Sequence, residues 1–206
     1  MKGFNMSVNT LLRNFALAGL AAAVLTAAGC GSSTPHNPGG GHDMPMASVP
    51  AGANFNTADV SFAQMMIPHH EQAVRMAEFA GTRASDPQVQ QLAMQIKTAQ
   101  GPEIETMKGW LSAWGQPTAA PMGGMRDGMP GMMTEEQMGS LENLTGTAFD
   151  REFVRMMIAH HQGAVQMART EQAQGADADA KALAATIEKT QTAEIATLQQ
   201  VLDRLK

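Results

Sequence analysis

The stretch Phe62-Ala63-Gln64-Met65-Met66-Ile67-Pro68-His69-His70-Glu71-Gln72-Ala73-Val74-Arg75-Met76-Ala77 occurs twice in this chain. The second copy, Phe153-Val154-Arg155-Met156-Met157-Ile158-Ala159-His160-His161-Gln162-Gly163-Ala164-Val165-Gln166-Met167-Ala168, follows at an offset of 91 residues without a gap. The copies share the phenylalanine and the Met-Met-Ile, His-His, Ala-Val and Met-Ala groups, and they contain four of the six histidines. A repeat of this length predicts two equivalent structural units.

On an α-helix, the histidines and methionines of each copy fall within about 140° of one face, because each residue turns the helix by about 100°. This face contains Met65, Met66, His69, His70 and Met76 in the first copy, and Met156, Met157, His160, His161 and Met167 in the second. Gln64, Glu71, Arg75 and Glu78 lie on the other side. The histidine–methionine face should therefore point into the core.

Imidazole and thioether groups on a buried face are ligands for soft or borderline metals, copper above all. In the alternative reading, the methionines fill the core and the histidines are hydrogen-bonded core polar groups. The doubling of a His-His pair with flanking methionines favours metal binding, with neutral imidazole and thioether suiting Cu(I) and nearby carboxylates suiting Cu(II). The pattern leaves open which histidine of each pair is the ligand.

The 91-residue offset extends well beyond the motif. It matches Asp59 with Asp150, Asp86 with Asp177, Leu92 with Leu183, Ile96 with Ile187, Gln100 with Gln191 and Glu103 with Glu194. Capping residues predict long helices over about 57–80, 86–114, 147–174 and 177–205, and a short one after Thr134. The repeats at 57–114 and 148–205 are thus two helix hairpins. The expected fold is all-α, an antiparallel four-helix bundle in which the hairpins bury each other.

The second helix of each hairpin has polar residues in the middle of its apolar face. These are Gln100 and Glu103 in the first repeat and Gln191 and Glu194 in the second. A carboxylate in an apolar stripe is costly unless it is paired. We expect Glu103 and Glu194 to orient the histidines as outer ligands, with Gln100, Gln191, Asp59 and Asp150 nearby.

A segment rich in glycine, proline and methionine, residues 115–133, joins the hairpins. Its methionines are Met122, Met125, Met129, Met132 and Met133. Methionines spaced in this way on a flexible segment can wrap Cu(I), which would make them an auxiliary metal site. Alternatively, the segment folds back onto the bundle and the methionines fill gaps.

Residues 1–30 have the composition of a secretory signal peptide. Lys2 and Arg13 give a basic start, and the apolar run at 15–28 is too short to span a membrane. Cys30 follows Ala27-Ala28-Gly29, which resembles a bacterial lipobox and predicts lipidation and membrane anchoring at Cys30. The alternative is an ordinary signal with an incidental cysteine. A single cysteine excludes an internal disulfide.

Residues 31–55 are rich in Gly, Pro, Ser and Asn, which predicts a flexible tether ahead of the bundle domain at 56–206. Within the tether, His42-Asp43-Met44-Pro45-Met46 either captures copper weakly or is plain linker. Loss of Lys2 and Arg13 with the signal changes the formal net charge from −5 to −7. An acidic chain without a basic cluster argues against a nucleic-acid partner.

The motif Met-Met-Ile-x-His-His-x-x-Ala-Val-x-Met, present at 65–76 and 156–167, resembles domain-of-unknown-function family 305, the CopM-like proteins. Asp150-Arg151-Glu152-Phe153 and the Gly-Met-Met-Thr at 131–134 add to the resemblance, which covers about 57–205. It implies an extracytoplasmic, ferritin-like helical bundle, with copper binding and copper tolerance in some members.

These observations predict a non-enzymatic copper-binding lipoprotein that sequesters copper or hands it to a delivery partner. A ferritin-like di-metal oxidase is the weaker alternative, because di-iron bundles use Glu-x-x-His and neither repeat contains it. A third alternative is an envelope scaffold lipoprotein that binds no metal.

Overall fold

The structure, a computed structural model, describes residues 49–119 and 129–206. These residues form five α-helices and no strand. The helices are α1 (Thr57–Arg83), α2 (Pro87–Ala113), α3 (Glu135–Asn143), α4 (Gly146–Gln174) and α5 (Ala178–Arg204). The predicted signal peptide with Cys30, the His42–Met46 cluster, Met122 and Met125 all lie outside the described residues.

Side chains that accept hydrogen bonds from backbone amides begin four of the five helices. Asn56, Asp86, Thr134 and Asp177 each cap the helix that follows. Such caps satisfy amides that have no partner within the helix. The start of α4 differs, because Thr145 makes no side-chain cap and the helix already includes Gly146, one residue earlier than predicted.

The predicted fold class is confirmed as an all-helical bundle. Helices α1 and α2 form one hairpin, α4 and α5 form the other, and the hairpins meet along α1 and α4. Two carboxylates stabilise this arrangement through hydrogen bonds between the hairpins. Asp59, at the start of α1, accepts hydrogen bonds from the amides of Ala176 and Asp177, which begin α5. By the repeat symmetry, Asp150 at the start of α4 accepts from the amides of Ser85 and Asp86, which begin α2.

The apolar core has two clusters, one toward each end of the bundle. The first cluster includes Met76, Ile96, Phe153 and Met157, and α3 covers it with Met138 and Leu141. The second includes Phe62, Met66, Met107, Met167 and Ile187. Both are built from aliphatic side chains and methionines with few aromatics, as the 4% aromatic content predicts.

Among the described residues, none of the helices has a stretch long and apolar enough to cross a membrane.

Candidate metal centre

A layer of buried and half-buried polar side chains separates the two apolar clusters. Every long helix contributes two residues to it. They are His69 and His70 from α1, Gln100 and Glu103 from α2, His160 and His161 from α4, and Gln191 and Glu194 from α5. All four histidines are 0% exposed. The structure thus brings the four histidines and their predicted glutamate and glutamine neighbours to one level of the bundle.

His70 and His161, which we call the outer histidines, each bond to a glutamate on the second helix of their own hairpin. The distance from His70 Nε2 to Glu103 Oε2 is 2.7 Å, and the distance from His161 Nε2 to Glu194 Oε2 is also 2.7 Å. A carboxylate can only accept, so the proton of each ring lies on Nε2. In the neutral form of each ring, the lone pair is then on Nδ1, where it is available to a metal.

His69 and His160, which we call the inner histidines, contact each other across the seam, where α1 of one hairpin meets α4 of the other. The ring centroids of His69 and His160 are 3.8 Å apart, with an angle of 38° between the rings. These two residues are equivalent in the repeat, so the pseudo-two-fold axis passes between them. His69 Nε2 donates to the carbonyl of Pro130 at 3.1 Å, which leaves its lone pair on Nδ1.

Five ring nitrogens in the layer are buried and find no hydrogen-bond partner among residues 49–119 and 129–206. They are the Nδ1 atoms of His69, His70 and His161, and both nitrogens of His160. A buried polar atom without a partner is destabilising, and natural proteins contain few of them. One of the two His160 nitrogens carries the ring proton, so the five nitrogens supply four lone pairs, a donor set suited to a metal ion that prefers imidazole.

Burial keeps the inner pair neutral. It lowers the pKa of His69 to about 3, with a further contribution from the nearby His70. Burial also lowers the pKa of His160 well below its usual value, helped by His69. Because only a neutral imidazole has a free lone pair, both rings are in the metal-binding form at neutral pH without proton release.

The predicted methionine ligands lie on both sides of the layer rather than within it. Met66 and Met167 belong to the Phe62 cluster, and Met65 packs against it. Met76, Met156 and Met157 belong to the Phe153 cluster. The helix turn places Met66 and Met157 four residues before His70 and His161, on the same face and one turn away. Thioethers therefore flank the histidines from both apolar clusters.

Residues 129–133, which we call the strap, lie across the histidine layer. Gln72 holds the strap through two hydrogen bonds of 2.8 Å, one to the amide and one to the carbonyl of Met133. Pro130 presses against α4 at Gly163, where an added Cβ would lie 1.8 Å from the Pro130 carbonyl oxygen. The sequence alone left fold-back of this segment as one of two alternatives and did not indicate its place over the histidine layer, although the mismatch of Gln72 with Gly163 inside the repeat was a visible signal.

Three of the predicted auxiliary methionines belong to the strap. Met129 is buried at 9% exposure, Met132 is half-buried, and Met133 packs against the Phe153 cluster. These three fold back onto the bundle. Gln64, which we expected on the outer side of α1, is also buried, because its side chain donates to the carbonyl of Pro117 in the chain that follows α2.

The structure corrects the prediction for Asp59 and Asp150. Both are 0% exposed, but their oxygens bind the backbone amides of the turns between helices rather than histidine rings. Asp59 and His69 are ten residues apart on α1, about 15 Å along the helix axis. The two aspartates brace the hairpins and do not surround the histidine layer.

Sequence reasoning also missed Glu171 in α4, which is 1% exposed and faces Asp59. Burial and the hydrogen bond to Asp59 raise the pKa of Glu171 to about 8. Burial opposes ionisation of Asp59, but the bond from Glu171 and the backbone amides lower the pKa of Asp59 below its ordinary value. The only signal in the sequence was the equivalent residue in the first repeat, Ala80.

In the described ranges 49–119 and 129–206, no group of three or more histidine, aspartate, glutamate or cysteine side chains is arranged so that it could hold a metal ion by itself. A metal in the histidine layer would thus need small ring movements or thioether ligands in addition to imidazole.

Comparison with known proteins places these features in a family. No curated protein matches the chain. A DUF305 protein from Streptomyces coelicolor, described as secreted, is 34% identical with a TM-score of 0.67, over 72% of this chain and 93% of that one. A DUF305 fragment from Deinococcus radiodurans is 35% identical with a TM-score of 0.67, over 72% and 97%.

CopM gives two further matches, each 34% identical to this chain. Its Cu(II)-bound form has a TM-score of 0.62 over 72% of this chain and 97% of CopM, and its Cu(I)-bound form has 0.61 over 71% and 96%. Residues 59–202 match the family described as "Domain of unknown function (DUF305)". This match spans most of the chain and includes the whole histidine layer, so the protein is a member of the DUF305 family.

Proposed function

We propose that this protein binds copper outside the cytoplasm and either sequesters it or hands it over, without catalysing a reaction. The observation that carries the proposal is the buried layer with five unpartnered imidazole nitrogens. Support also comes from CopM, a 34% identical protein with Cu(II)-bound and Cu(I)-bound structures.

The ligand types favour copper over iron. Neutral imidazoles and thioethers suit Cu(I), and the carboxylates beside His70 and His161 would help a Cu(II) state. Glu103 and Glu194 each bond to a histidine, so they would orient ligands rather than bind metal themselves. The strap covers the layer, which suits retention of an ion more than access of a substrate.

The test is titration of the purified mature protein with Cu(I) under reducing conditions and with Cu(II) under oxidising conditions. Two double variants, His69→Ala with His160→Ala and His70→Ala with His161→Ala, should each bind copper more weakly or with lower stoichiometry. Gln64→Leu is the matched control, because Gln64 is a buried polar residue of α1 that bonds to Pro117 instead.

Circular dichroism of each variant would separate loss of ligands from loss of folding. Copper binding equal to that of the parent in both folded double variants would contradict the proposal. Uptake of iron with oxidase activity would favour the di-metal oxidase alternative, and no tight binding of any metal would favour the scaffold.

The extracytoplasmic location and the lipid anchor are part of the proposal. Support comes from the signal-like residues 1–30 and from the Streptomyces coelicolor relative, which is described as secreted. Cys30→Ser should move the protein from the membrane fraction to the soluble fraction after cell fractionation. An unchanged distribution would show that Cys30 does not anchor the protein.

A further inference from the structure

An open cavity of ≈ 400 Å³ lies at the Asp59 end of the seam between α1 and α4. Phe62, Met65, Met167 and Glu171 are among the residues that line it. Glu171 follows His161 by ten residues on α4, which is about 15 Å along the helix axis. The Glu171 end of the cavity is therefore remote from the histidine layer, whereas Met65 and Pro130 line the end next to it, since the Pro130 carbonyl also accepts from His69.

Glu171 is the unusual group in this cavity. Its side chain is 1% exposed, and no residue in the described ranges donates a hydrogen bond to its carboxyl oxygens, so that it only shares a proton with Asp59. The facing Asp59 already accepts from the amides of Asn56, Ala176 and Asp177. Two buried carboxyl groups side by side can be satisfied only by a shared proton or by a cation.

The charged groups around the pair do not supply that cation. Lys181 of α5 attracts Glu171, but its ammonium group donates to the carbonyl of Gly175, and Asp177 adds negative charge. The balance of charge at this end of the seam is therefore negative, which favours a bound cation.

This arrangement is present in one repeat only. The residue equivalent to Glu171 is Ala80, and the residue equivalent to Gly175 is Ala84. A Cβ at position 175 would lie 2.2 Å from Glu171 Oε1, so the glycine is what makes room for the carboxyl group. Glu171 and Gly175 thus both differ from the first repeat, and together they bury one carboxyl group in a cavity that Met65 and Met167 also line. Bundle stability does not require this, because the other end of the seam is built without it.

We propose that this cavity is a second cation site, in which Glu171 releases to solvent the proton that it shares with Asp59, and its carboxylate binds a soft monovalent ion such as Cu(I) or Ag(I) together with the thioethers of Met65 and Met167. Thioethers select soft ions, and the carboxylate supplies the opposite charge. Met65 and Met167 then serve this site instead of the histidine layer. The inference extends the proposed copper-binding function but does not depend on the histidines being ligands.

The test uses Ag(I), which keeps one oxidation state, and the methyl NMR signals of the methionines in the mature protein. In the background His69→Gln with His160→Gln, Ag(I) should still shift the signals of Met65 and Met167. Glu171→Gln should weaken the binding that causes these shifts by about tenfold or more. Glu136→Gln, at an exposed position in the first turn of α3, is the control and should change nothing.

Two results would overturn the inference. One is that the Met65 and Met167 signals do not move with Ag(I). The other is that they move equally with and without the Glu171 carboxylate. If the histidine variant does not fold, comparison of the parent with Glu171→Gln alone gives the same readout. Unweakened copper binding by the histidine variants, with shifts that depend on Glu171, would reject the proposed histidine site and keep this one.

Discussion

The 2.7 Å hydrogen bond from His70 to Glu103, repeated between His161 and Glu194, determines which nitrogen of each ring is free. We predict that Glu103→Gln together with Glu194→Gln lowers copper affinity by about 10- to 100-fold, because the rings lose the carboxylates that hold their orientation. Glu105→Gln is the control, since Glu105 is exposed and pairs with Lys108. Competition titration would measure the affinities, and unchanged affinity in the double variant would reject the orienting role.

The inner histidines make the metal-free protein sensitive to acid. Burial lowers the pKa of His69 to about 3 and that of His160 well below its usual value, whereas both rings titrate near 6.5 when unfolded. Below about pH 6.5 the unfolded state binds more protons than the folded state, so the free energy of unfolding must fall as pH falls toward 3.

Urea unfolding of the metal-free protein at several pH values between 7 and 4 would measure this slope. His69→Gln with His160→Gln should give a shallower slope than the parent, because the two depressed groups are gone. Equal slopes would mean that folding does not lower the pKa values of the two rings.

For single residues, the sequence predicted side-chain contacts best where a polar residue interrupts an apolar pattern. Glu103 was predicted beside a histidine because it lies in an apolar stripe, and the structure places it there. Glu171 was missed because a glutamate in the last turns of a helix is ordinarily solvated. Its burial depends on the turn that follows α4, because Gly175 has no side chain and leaves room there for the carboxyl group of Glu171.

Among the elements, the strap is held by a contact that only glycine allows. We predict that Gly163→Ala costs about 1–3 kcal/mol, because the added methyl group overlaps the Pro130 carbonyl and displaces the strap. Gly109→Ala in α2 is the matched control. Its Cβ would meet nothing within 4 Å, so it should stabilise the protein by about 0.5–1 kcal/mol.

Urea unfolding would give both values, and hydrogen exchange at the Met133 amide would report whether the strap is still bound to Gln72. A Gly163→Ala protein with parental stability and an equally protected Met133 amide would show that the strap adapts without loss.

The helices themselves could be predicted almost to the residue, because Asn56, Asp86, Thr134 and Asp177 are strong local signals. The sequence left open whether the strap folds onto the bundle, since its conformation depends on contacts with residues about 30 to 60 positions away. The burial of Gln64 and Gln72 has the same cause, because loop carbonyls and amides, rather than the helix pattern, cover these side chains.

On the scale of the whole molecule, Asp59 and Asp150 join the two hairpins. We predict that Asp150→Ala destabilises the protein by about 2 kcal/mol or more, because the fully buried Asp150 carboxylate is lost and the part-buried amides of Ser85 and Asp86 lose their acceptor. Asp203→Ala, at an exposed site near the end of α5, should change stability by no more than about 0.5 kcal/mol. Equal urea midpoints for the two variants would contradict the bracing role.

The overall architecture followed from the 91-residue repeat, because two equivalent amphipathic hairpins have one simple way to bury their apolar faces. The offset also predicted that the two histidine–methionine faces would meet or nearly meet inside the bundle, and the ring centroids of His69 and His160 lie 3.8 Å apart. The positions of Asp59 and Asp150 were wrong because a helical projection gives the angle of a residue but not its distance along the axis from the histidines.

The differences between the two halves have a consequence for how such a protein can arise. Two separate copies of one hairpin, paired as a homodimer, would carry the same residue at both equivalent positions. They could not have Gln72 on one side and Gly163 on the other, or Glu171 opposite Ala80. A strap bound on one side and a carboxyl group buried at one end therefore require that both hairpins belong to one polypeptide. Because both hairpins lie in one chain, a substitution at one end of the bundle leaves the equivalent residue at the other end unchanged, which is impossible for two copies of one hairpin.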